Sequence, residues 1–387
     1  MYNQINSIMS ESVKNGTSVF SSCIVMQKGK QIYSNSVGTA SERTGTLMTA
    51  DTICRLFSLT KPITATAAMI ATDKGLFDPD TRLSRFFPEF SYITYSKDSK
   101  ELTAEAADVP ITIGHLLNMT AGLPYPSDWG ESVRASGDVY NGLLYARQNG
   151  TPRDTKTFAG KCADIPLYNI PGDYWFYGVE ADILGTVIEK ASGMRYSEFL
   201  QKFIFDPLGM DDTAFFVPQE KRNRLADLYQ WSDNGLIPAV CGHLGIEDFS
   251  APPLFESGGA GLFSTINDYS KFADMLCRRG CYRNSRIISE KAFDYMTTPK
   301  FNEHLLRSMW DRLNGYNYSC FMRVMTDVSR SRIKSANGEF GWDGWTGTYF
   351  CVHPESGITV LYFTQICGAG TTDQAVDIVN TVFGELL

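Results

Sequence analysis

A serine and a lysine three positions apart can supply a nucleophile and its base. Ser58 and Lys61 lie in CRLFSLTKPITATA, where a strand-like segment passes into an alanine-rich helix. Pro62 fits the first turn of that helix, because a missing N–H costs nothing there. We therefore expect Ser58 at a helix N-terminus, with Lys61 on the same face and within reach of it. A serine hydroxyl needs such a base at hydrogen-bond distance to become a nucleophile.

The Ser-x-x-Lys spacing is weak evidence when it stands alone. A chain with this much serine and lysine contains about one match by chance. A second match occurs at Ser331–Lys334, among charged neighbours that are typical of an exposed turn. Without further motifs, Ser58 is better explained as a helix cap and Lys61 as a surface charge.

Further stretches of the chain favour the catalytic interpretation. In order along the chain they are FSLTKPITA, LLNMTAGL, PGDYWFYGVEADILGTVIEKASG, ESGGAGLFST and FGWDGWTGTYFCVHPESGITVLYFTQ. This ordered set resembles the serine β-lactamase and penicillin-binding-protein superfamily, and within it most of all the class C-like family VIII carboxylesterases. The resemblance extends from about residue 18 to the C-terminus. It is far more specific than any single motif.

The resemblance assigns catalytic residues. It implies that Ser58 is the acylated nucleophile, that Lys61 is its partner, and that Tyr177 is the tyrosine of the family's Tyr-x-Asn motif. The oxyanion hole would be the backbone N–H groups of Ser58 and Trp345, which need no particular side chain. A literal Tyr-x-Asn also occurs at residues 282–284, in a basic segment that we interpret as an exposed loop.

Two departures from the family pattern bear on the substrate. The family asparagine is Val179 here and the family lysine is Trp342, so a carboxylate-bearing β-lactam loses its charge partner. An apolar or aromatic ester would gain stacking area instead. Asp343 is either a further charge against anionic substrates or an outward-facing turn residue. The glycines near Gly344 indicate a strand that another group approaches closely. The predicted substrate-binding residues are Tyr125, Val179, Trp342, Asp343 and Gly344.

Composition narrows the class of protein. The chain has 387 residues, is 43% hydrophobic and 20% charged, and carries a net charge of −8 with a pI near 5.2. These values are typical of a globular protein and disfavour binding to nucleic acid through phosphate contacts. No signal peptide and no apolar stretch of membrane-spanning length is visible, so we expect a cytoplasmic protein without a membrane partner.

Metal and cofactor chemistry has no support in the sequence. The nine cysteines are scattered and odd in number, as reduced core thiols would be. Cys277 and Cys281 have no histidine close to them in sequence, and the four histidines are isolated. We therefore predict that the protein needs neither a metal nor a cofactor. Its oligomeric state is left open.

The order of elements predicts the architecture. Strand-like runs lie near both termini and short helical segments lie between them. We predict an α/β fold of the α+β type. An antiparallel sheet flanked by helices would be built from residues 1–80 and 258–387, and a mostly helical lobe from 81–257. The active site would lie in the cleft between the two lobes.

The expected reaction is hydrolysis of a small-molecule carboxylic ester. Tyr177, held as a phenolate or near it by Lys61, would take the Ser58 proton, and water would later clear the acyl-enzyme. The alternatives are a β-lactamase, a D-specific peptidase or an acyltransferase on the same fold. A protein that acylates and does not turn over is a further alternative.

Overall fold

An antiparallel sheet formed by both ends of the chain is the centre of the fold. The computed structural model describes residues 1–98, 101–106 and 109–387. Its strands in chain order are β1 (Phe20–Gln27), β2 (Lys30–Ser41), β3 (Thr46–Leu47), β4 (Ile53–Arg55), β5 (Thr94–Asp98), β6 (Glu101–Ala106), β7 (Leu228–Ser232), β8 (Gly235–Ala239), β9 (Phe263–Thr265), β10 (Cys281–Tyr282), β11 (Ser285–Arg286), β12 (Tyr316–Ser319), β13 (Met322–Met325), β14 (Phe340–Asp343), β15 (Tyr349–His353) and β16 (Ile358–Phe363).

The main sheet has eight strands in the spatial order β12-β13-β14-β15-β16-β1-β2-β3. Two tight hairpins fix its register. One turns at Lys28-Gly29, where both residues have positive φ as a two-residue hairpin loop requires. The other joins β15 to β16, pairing His353 with Ile358. The α/β fold class predicted from the sequence is confirmed.

Helices cover both faces of this sheet. They are α1 (Tyr2–Lys14), α2 (Thr60–Asp73), α3 (Ile113–Leu117), α4 (Glu131–Gln148), α5 (Thr155–Lys161), α6 (Glu180–Ser192), α7 (Tyr196–Leu200), α8 (Asp206–Leu208), α9 (Ile266–Cys277), α10 (Glu290–Thr297), α11 (Glu303–Leu306) and α12 (Asp373–Leu386). The terminal helices α1 and α12 pack on one face of the sheet, and α9 packs on the other. Because both faces are covered, β16 is buried at every position.

Helices α3 to α8 lie between the two halves of the sheet in sequence. The hairpin β5–β6 precedes α3 and the hairpin β7–β8 follows α8, so residues 81–257 contain strands as well as helices. Helix α6 packs against α2, which follows Ser58. The division into lobes at residues 81 and 257 stays a prediction.

Helix α9 begins differently from the sequence-based expectation, which placed its cap at Asn267 or Asp268. The cap is Thr265, whose extended backbone ends β9 and whose hydroxyl accepts the Asp268 N–H. The strand therefore sets the first turn of the helix, and Asp268 takes the third helical position, where a negative charge is favourable.

Two further observations concern the chain as a whole. All nine cysteines are free thiols, and seven of them are buried. Across the part of the chain that the structure describes, no helix has the length and apolar character needed to cross a bilayer.

Candidate active site

The chain places Ser58 at the entrance of a helix by a strained turn. Strand β4 ends at Arg55, and Phe57 adopts a φ of 44°, an uncommon value for a residue with a large side chain. A single 3₁₀ turn, Phe57–Leu59, then leads into α2. Such strained backbone persists only where the surroundings fix it, and it is frequent at functional sites. The turn leaves the Ser58 side chain half-buried at the wall of a cavity.

Lys61 lies one helical turn after Ser58 and is completely buried. Its Nζ is 3.2 Å from the Ser58 Oγ, 2.9 Å from the Tyr125 hydroxyl and 2.8 Å from the Gly259 carbonyl oxygen. Burial lowers the pKa of Lys61 to about 7, although nearby acidic groups oppose the shift. A substantial share of this amine is therefore uncharged at neutral pH.

Tyr177 comes from the segment that enters α6. Its hydroxyl accepts a 3.0 Å hydrogen bond from the Trp342 indole, and its ring lies 4.7 Å from the Lys61 Nζ. Burial raises the pKa of Tyr177 above its usual value, and the Ser58 hydroxyl and the Trp342 indole lower it only in part. The side chain is thus a neutral phenol at rest. The raised pKa disfavours the expected phenolate, because a buried negative charge is costly.

A second phenol, that of Tyr125, also reaches Lys61. Tyr125 lies in the loop after α3, and its ring packs edge-on against Tyr177 with centroids 5.7 Å apart. Burial and the nearby acidic groups raise its pKa well above the usual value, so it too is neutral. Tyr125, a predicted substrate-binding residue, lies at the cavity wall and in direct contact with the amine.

The two predicted oxyanion-hole donors lie on segments that are bound together. In the described part of the chain, no hydrogen bond engages the backbone N–H of Ser58 or of Trp345. Gln365, which is fully buried, accepts the Arg55 N–H at 2.9 Å. Its amide also donates to the Arg55 carbonyl at 3.0 Å and to the Thr346 hydroxyl at 2.9 Å. One side chain therefore joins the segment before Ser58 to the segment that carries Trp345.

A cavity of about 460 Å³ opens beside Ser58. It lies between α4 and the segment 242–245, and aromatic and aliphatic side chains make up most of its wall. None of the described residues that line it is an acid, a lysine or an arginine. They are Phe57, Ser58, Tyr125, Pro126, Gly137, Tyr140, Asn141, Leu144, Tyr177, Gly242, His243, Leu244, Gly245 and Trp345.

His243 is a member of this wall that sequence reasoning missed. Its ring stacks on the Trp345 indole, with centroids 4.2 Å apart and planes 19° apart. Burial and the positive charge of Lys61 lower the pKa of His243 to about 4, so the imidazole is neutral at physiological pH. Nothing in GHLG marks this role, because loop 242–245 meets Trp345 only in the folded chain.

Three predicted substrate-binding residues do not face the cavity. Trp342 is 2% exposed and stacks on Tyr177 from behind, so its indole acts on that phenol and not on a substrate. Val179 is fully buried in the core. Gly344 lies against the protein itself, since an added Cβ would come within 2.3 Å of the Leu56 carbonyl. The close approach predicted for this glycine is real, but the approaching group is the protein's own backbone.

Asp343 also lies outside the cavity beside Ser58. Its carboxylate accepts a hydrogen bond from the Thr371 hydroxyl, and it lines a separate, smaller cavity behind Trp342. It therefore has no direct contact with a substrate in that cavity, and repulsion of an anionic substrate by its charge stays a prediction. Its charge is felt by Lys61, whose pKa it raises.

The fold and this site together define a class of protein. A serine and a buried lysine one helical turn apart, under a sheet flanked by helices, are characteristic of enzymes that acylate a serine on a β-lactamase-like fold. The chain belongs to the Beta-lactamase family, whose model matches residues 8–378.

Curated relatives cover nearly the whole chain. Esterase EstB of Burkholderia gladioli is 25% identical over 379 residues, which are 95% of this chain and 91% of that esterase. Lovastatin esterase of Penicillium rubens is 28% identical over 382 residues, 94% of this chain and 90% of that protein. Monacolin J acid methylbutanoyltransferase of Aspergillus terreus is 27% identical over 339 residues, 82% and 77% of the two chains.

Solved structures share the fold. EstCE1, described as a hydrolase with promiscuous acyltransferase activity, superposes with a TM-score of 0.82 at 22% identity, covering 99% of this chain and 98% of its own. Unliganded simvastatin synthase (LovD) from Aspergillus terreus gives a TM-score of 0.77 at 21% identity, covering 98% and 96%. The agreement over both full lengths shows that the architecture is common to all three.

Proposed function

We propose that this protein is a serine hydrolase that cleaves neutral carboxylic esters through an acyl-enzyme on Ser58. The observation that carries the proposal is the 3.2 Å contact between the Lys61 Nζ and the Ser58 Oγ, made by an amine whose pKa is about 7. A general base works best when its pKa lies near the operating pH. The esterases among the relatives support the proposal.

The first proton transfer follows from the three contacts of Lys61. As an ammonium it has three N–H donors, one for each neighbour. As a neutral amine it keeps two, which suffice for the Gly259 carbonyl and the Tyr125 hydroxyl. Its lone pair then faces Ser58. The Ser58 proton passes to Lys61 while the Oγ attacks the ester carbonyl carbon, and the carbonyl electrons move onto oxygen.

The second half of acylation uses the opposite side of the site. The oxyanion is held by the N–H groups of Ser58 and Trp345, and its collapse breaks the bond to the alcohol oxygen. Tyr177 donates its phenol proton to that leaving oxygen, and the proton that Lys61 took from Ser58 later restores the phenol. Water attacks the ester of Ser58 in the same way, which releases the acid and regenerates the hydroxyl.

Acyl transfer is the second candidate function, because a transferase stands among the relatives and the same acyl-enzyme serves both reactions. The two are distinguished by the fate of the acyl group. With an added alcohol acceptor, a hydrolase yields mostly acid, and a transferase yields mostly the new ester. Quantifying both products by chromatography separates them.

The uncharged cavity wall predicts a preference for neutral substrates. We expect 4-nitrophenyl hexanoate to exceed its matched acid, the mono-4-nitrophenyl ester of adipic acid, by ~100-fold in kcat/KM, since an unpaired carboxylate costs about 2–3 kcal/mol. Nitrocefin, which carries a carboxylate, should be a poor substrate. Initial rates for the three compounds on purified protein test this. Equal rates for the two esters, or nitrocefin as the best substrate, would contradict a neutral ester as substrate.

Gln365 offers a test of the oxyanion hole that leaves its donors in place. Gln365→Met keeps the side-chain length and removes the amide that joins the segments of Ser58 and Trp345. We expect kcat to fall by ~10–100-fold with KM little changed, because a misplaced oxyanion donor weakens binding of the transition state alone. Gln31→Met on the exposed side of β2 is the matched control. An unchanged kcat in folded Gln365→Met protein would show that the two segments keep their spacing without the amide.

A further inference from the structure

Asp182 is a buried acid that contacts the catalytic cluster without lining the cavity. It is the third residue of α6, five positions after Tyr177, and is 1% exposed. Its carboxylate accepts hydrogen bonds from the Gly259 N–H at 3.0 Å, from the Ser257 hydroxyl and from the Tyr140 hydroxyl at 3.2 Å. Burial raises the pKa of Asp182, and the hydrogen bonds from these three donors, together with the charge of Lys61, oppose that shift and favour the ionised form.

Two of these bonds fix the turn that orients Lys61. The Ser257 hydroxyl, bound to Asp182, accepts the Ala260 N–H at 2.9 Å, which closes the turn on itself. Gly259 lies within this turn, between Ser257 and Ala260. Its N–H binds Asp182, and its carbonyl oxygen accepts a hydrogen bond from Lys61 at 2.8 Å. The carbonyl that holds the amine is therefore one peptide away from the carboxylate.

The turn has little freedom to move on its own. A Cβ on Gly259 would lie 2.7 Å from the Tyr125 hydroxyl and 3.0 Å from an Asp182 carboxylate oxygen. A Cβ on Gly258 would lie 2.3 Å from the Ala181 carbonyl oxygen. The backbone is thus pressed directly onto the start of α6, so that a change at Asp182 is transmitted to Gly259.

The other titratable groups around Lys61 are mostly neutral. From the cavity side these are Tyr125, Tyr177 and His243, whose protonation is described above. Neither carboxyl oxygen of Glu180, on α6, meets a hydrogen-bond donor in the described structure, and burial raises its pKa well above the usual value. Asp343, on β14, is bound to Thr371. Of the acids near Lys61, Asp182 raises its pKa most.

We infer that Asp182 is a positioning residue for Lys61: it fixes the Gly259 carbonyl that orients the amine, and its negative charge offsets part of the cost of burying that amine. The inference rests on the proposed role of Lys61 as base. The first turn of α6 then supplies the anion that sets the state of the base, and the segment just before that helix supplies the proton donor, Tyr177.

Asp182→Asn tests the charge while preserving the shape. The amide oxygen still accepts from Gly259 and Ser257, and the Tyr140 hydroxyl reverses to accept from the amide nitrogen. Loss of the charge lowers the Lys61 pKa. The acidic limb of the kcat/KM profile, with its midpoint near 7 in the parent protein, should then move to lower pH by about one unit. Asp274→Asn, a buried aspartate on α9, should leave the midpoint in place.

The outcomes separate this inference from the function it rests on. Ester turnover by the parent that does not need Ser58 refutes the proposed function. Ser58-dependent turnover with the same midpoint in Asp182→Asn overturns the role of Asp182 alone. If Asp182→Asn does not fold, Ser257→Ala decides, because it loosens the turn and keeps the charge. We then expect a lower kcat at an unmoved midpoint, and an unchanged kcat overturns the inference.

Discussion

Ser58→Ala is expected to lower kcat for short 4-nitrophenyl esters by about 10⁴-fold or more, since loss of a nucleophile leaves only the binding and oxyanion contributions. The variant should fold normally, because the side chain is half-buried and the turn before it is fixed by Arg55 and Gln365. Initial rates across a range of ester concentrations, with the melting temperature measured alongside, test the prediction.

The chain contains its own control for this experiment. Ser331 and Lys334 repeat the Ser-x-x-Lys spacing, but there the lysine amine binds the Ser331 carbonyl oxygen. Ser331→Ala should therefore keep full activity. If Ser58→Ala kept most of its turnover, or if Ser331→Ala lost it, the nucleophile would be misassigned.

Tyr177→Phe is expected to lower kcat by ~10²–10⁴-fold, the usual contribution of a positioned proton donor. The ring remains, so packing against Trp342 is kept, and the hydrogen bond from its indole is lost. That loss costs about 1 kcal/mol, too little to unfold the protein. The decrease in kcat should be smaller for aryl esters than for alkyl esters, since a nitrophenolate leaves without a proton. Comparing an aryl with an alkyl ester of the same acid measures this difference.

Two further phenylalanine variants test whether Tyr177 is the proton donor. Tyr282→Phe, in the literal Tyr-x-Asn of the β10–β11 hairpin, should behave as the parent protein does. Tyr125→Phe removes the phenol that accepts from Lys61. If Tyr125→Phe lost alkyl-ester turnover and Tyr177→Phe did not, Tyr125 would be the proton donor and the assignment made here would be wrong.

The sequence predicted those parts of the site that depend on local geometry. Ser58 and Lys61 are three apart at a helix start, and that spacing alone brings their side chains to one face. The sheet was also predictable, because its strands are apolar runs separated by hairpin turns such as Lys28-Gly29. The side-chain pair and the hairpins both depend on contacts between residues close in sequence.

The errors concern residues whose side-chain direction is set by tertiary packing. Motif position placed Trp342 and Val179 at the substrate, but the side chains on a strand alternate between two faces and those at a helix start depend on what the helix packs against. Trp342 points to the back of Tyr177, and Val179 points into the core. No local pattern distinguishes those directions from the predicted ones.

The residues that were missed meet the site only through long-range contacts. His243 reaches Trp345 across about a hundred positions of sequence. Asp182 and Gln365 carry no signature of their own, since a buried acid or amide is recognisable only once its partners are located. Only the folded chain brings the Gly259 N–H to Asp182 and the Thr346 hydroxyl to Gln365.

The most direct test of the account is intact-protein mass spectrometry after brief exposure to a 4-nitrophenyl ester, or to a fluorophosphonate, followed by peptide mapping. The account predicts one added acyl or phosphonyl group, on the peptide that contains Ser58, present in Ser331→Ala and absent in Ser58→Ala. An adduct on another residue, or steady ester turnover by Ser58→Ala without any adduct, would contradict it.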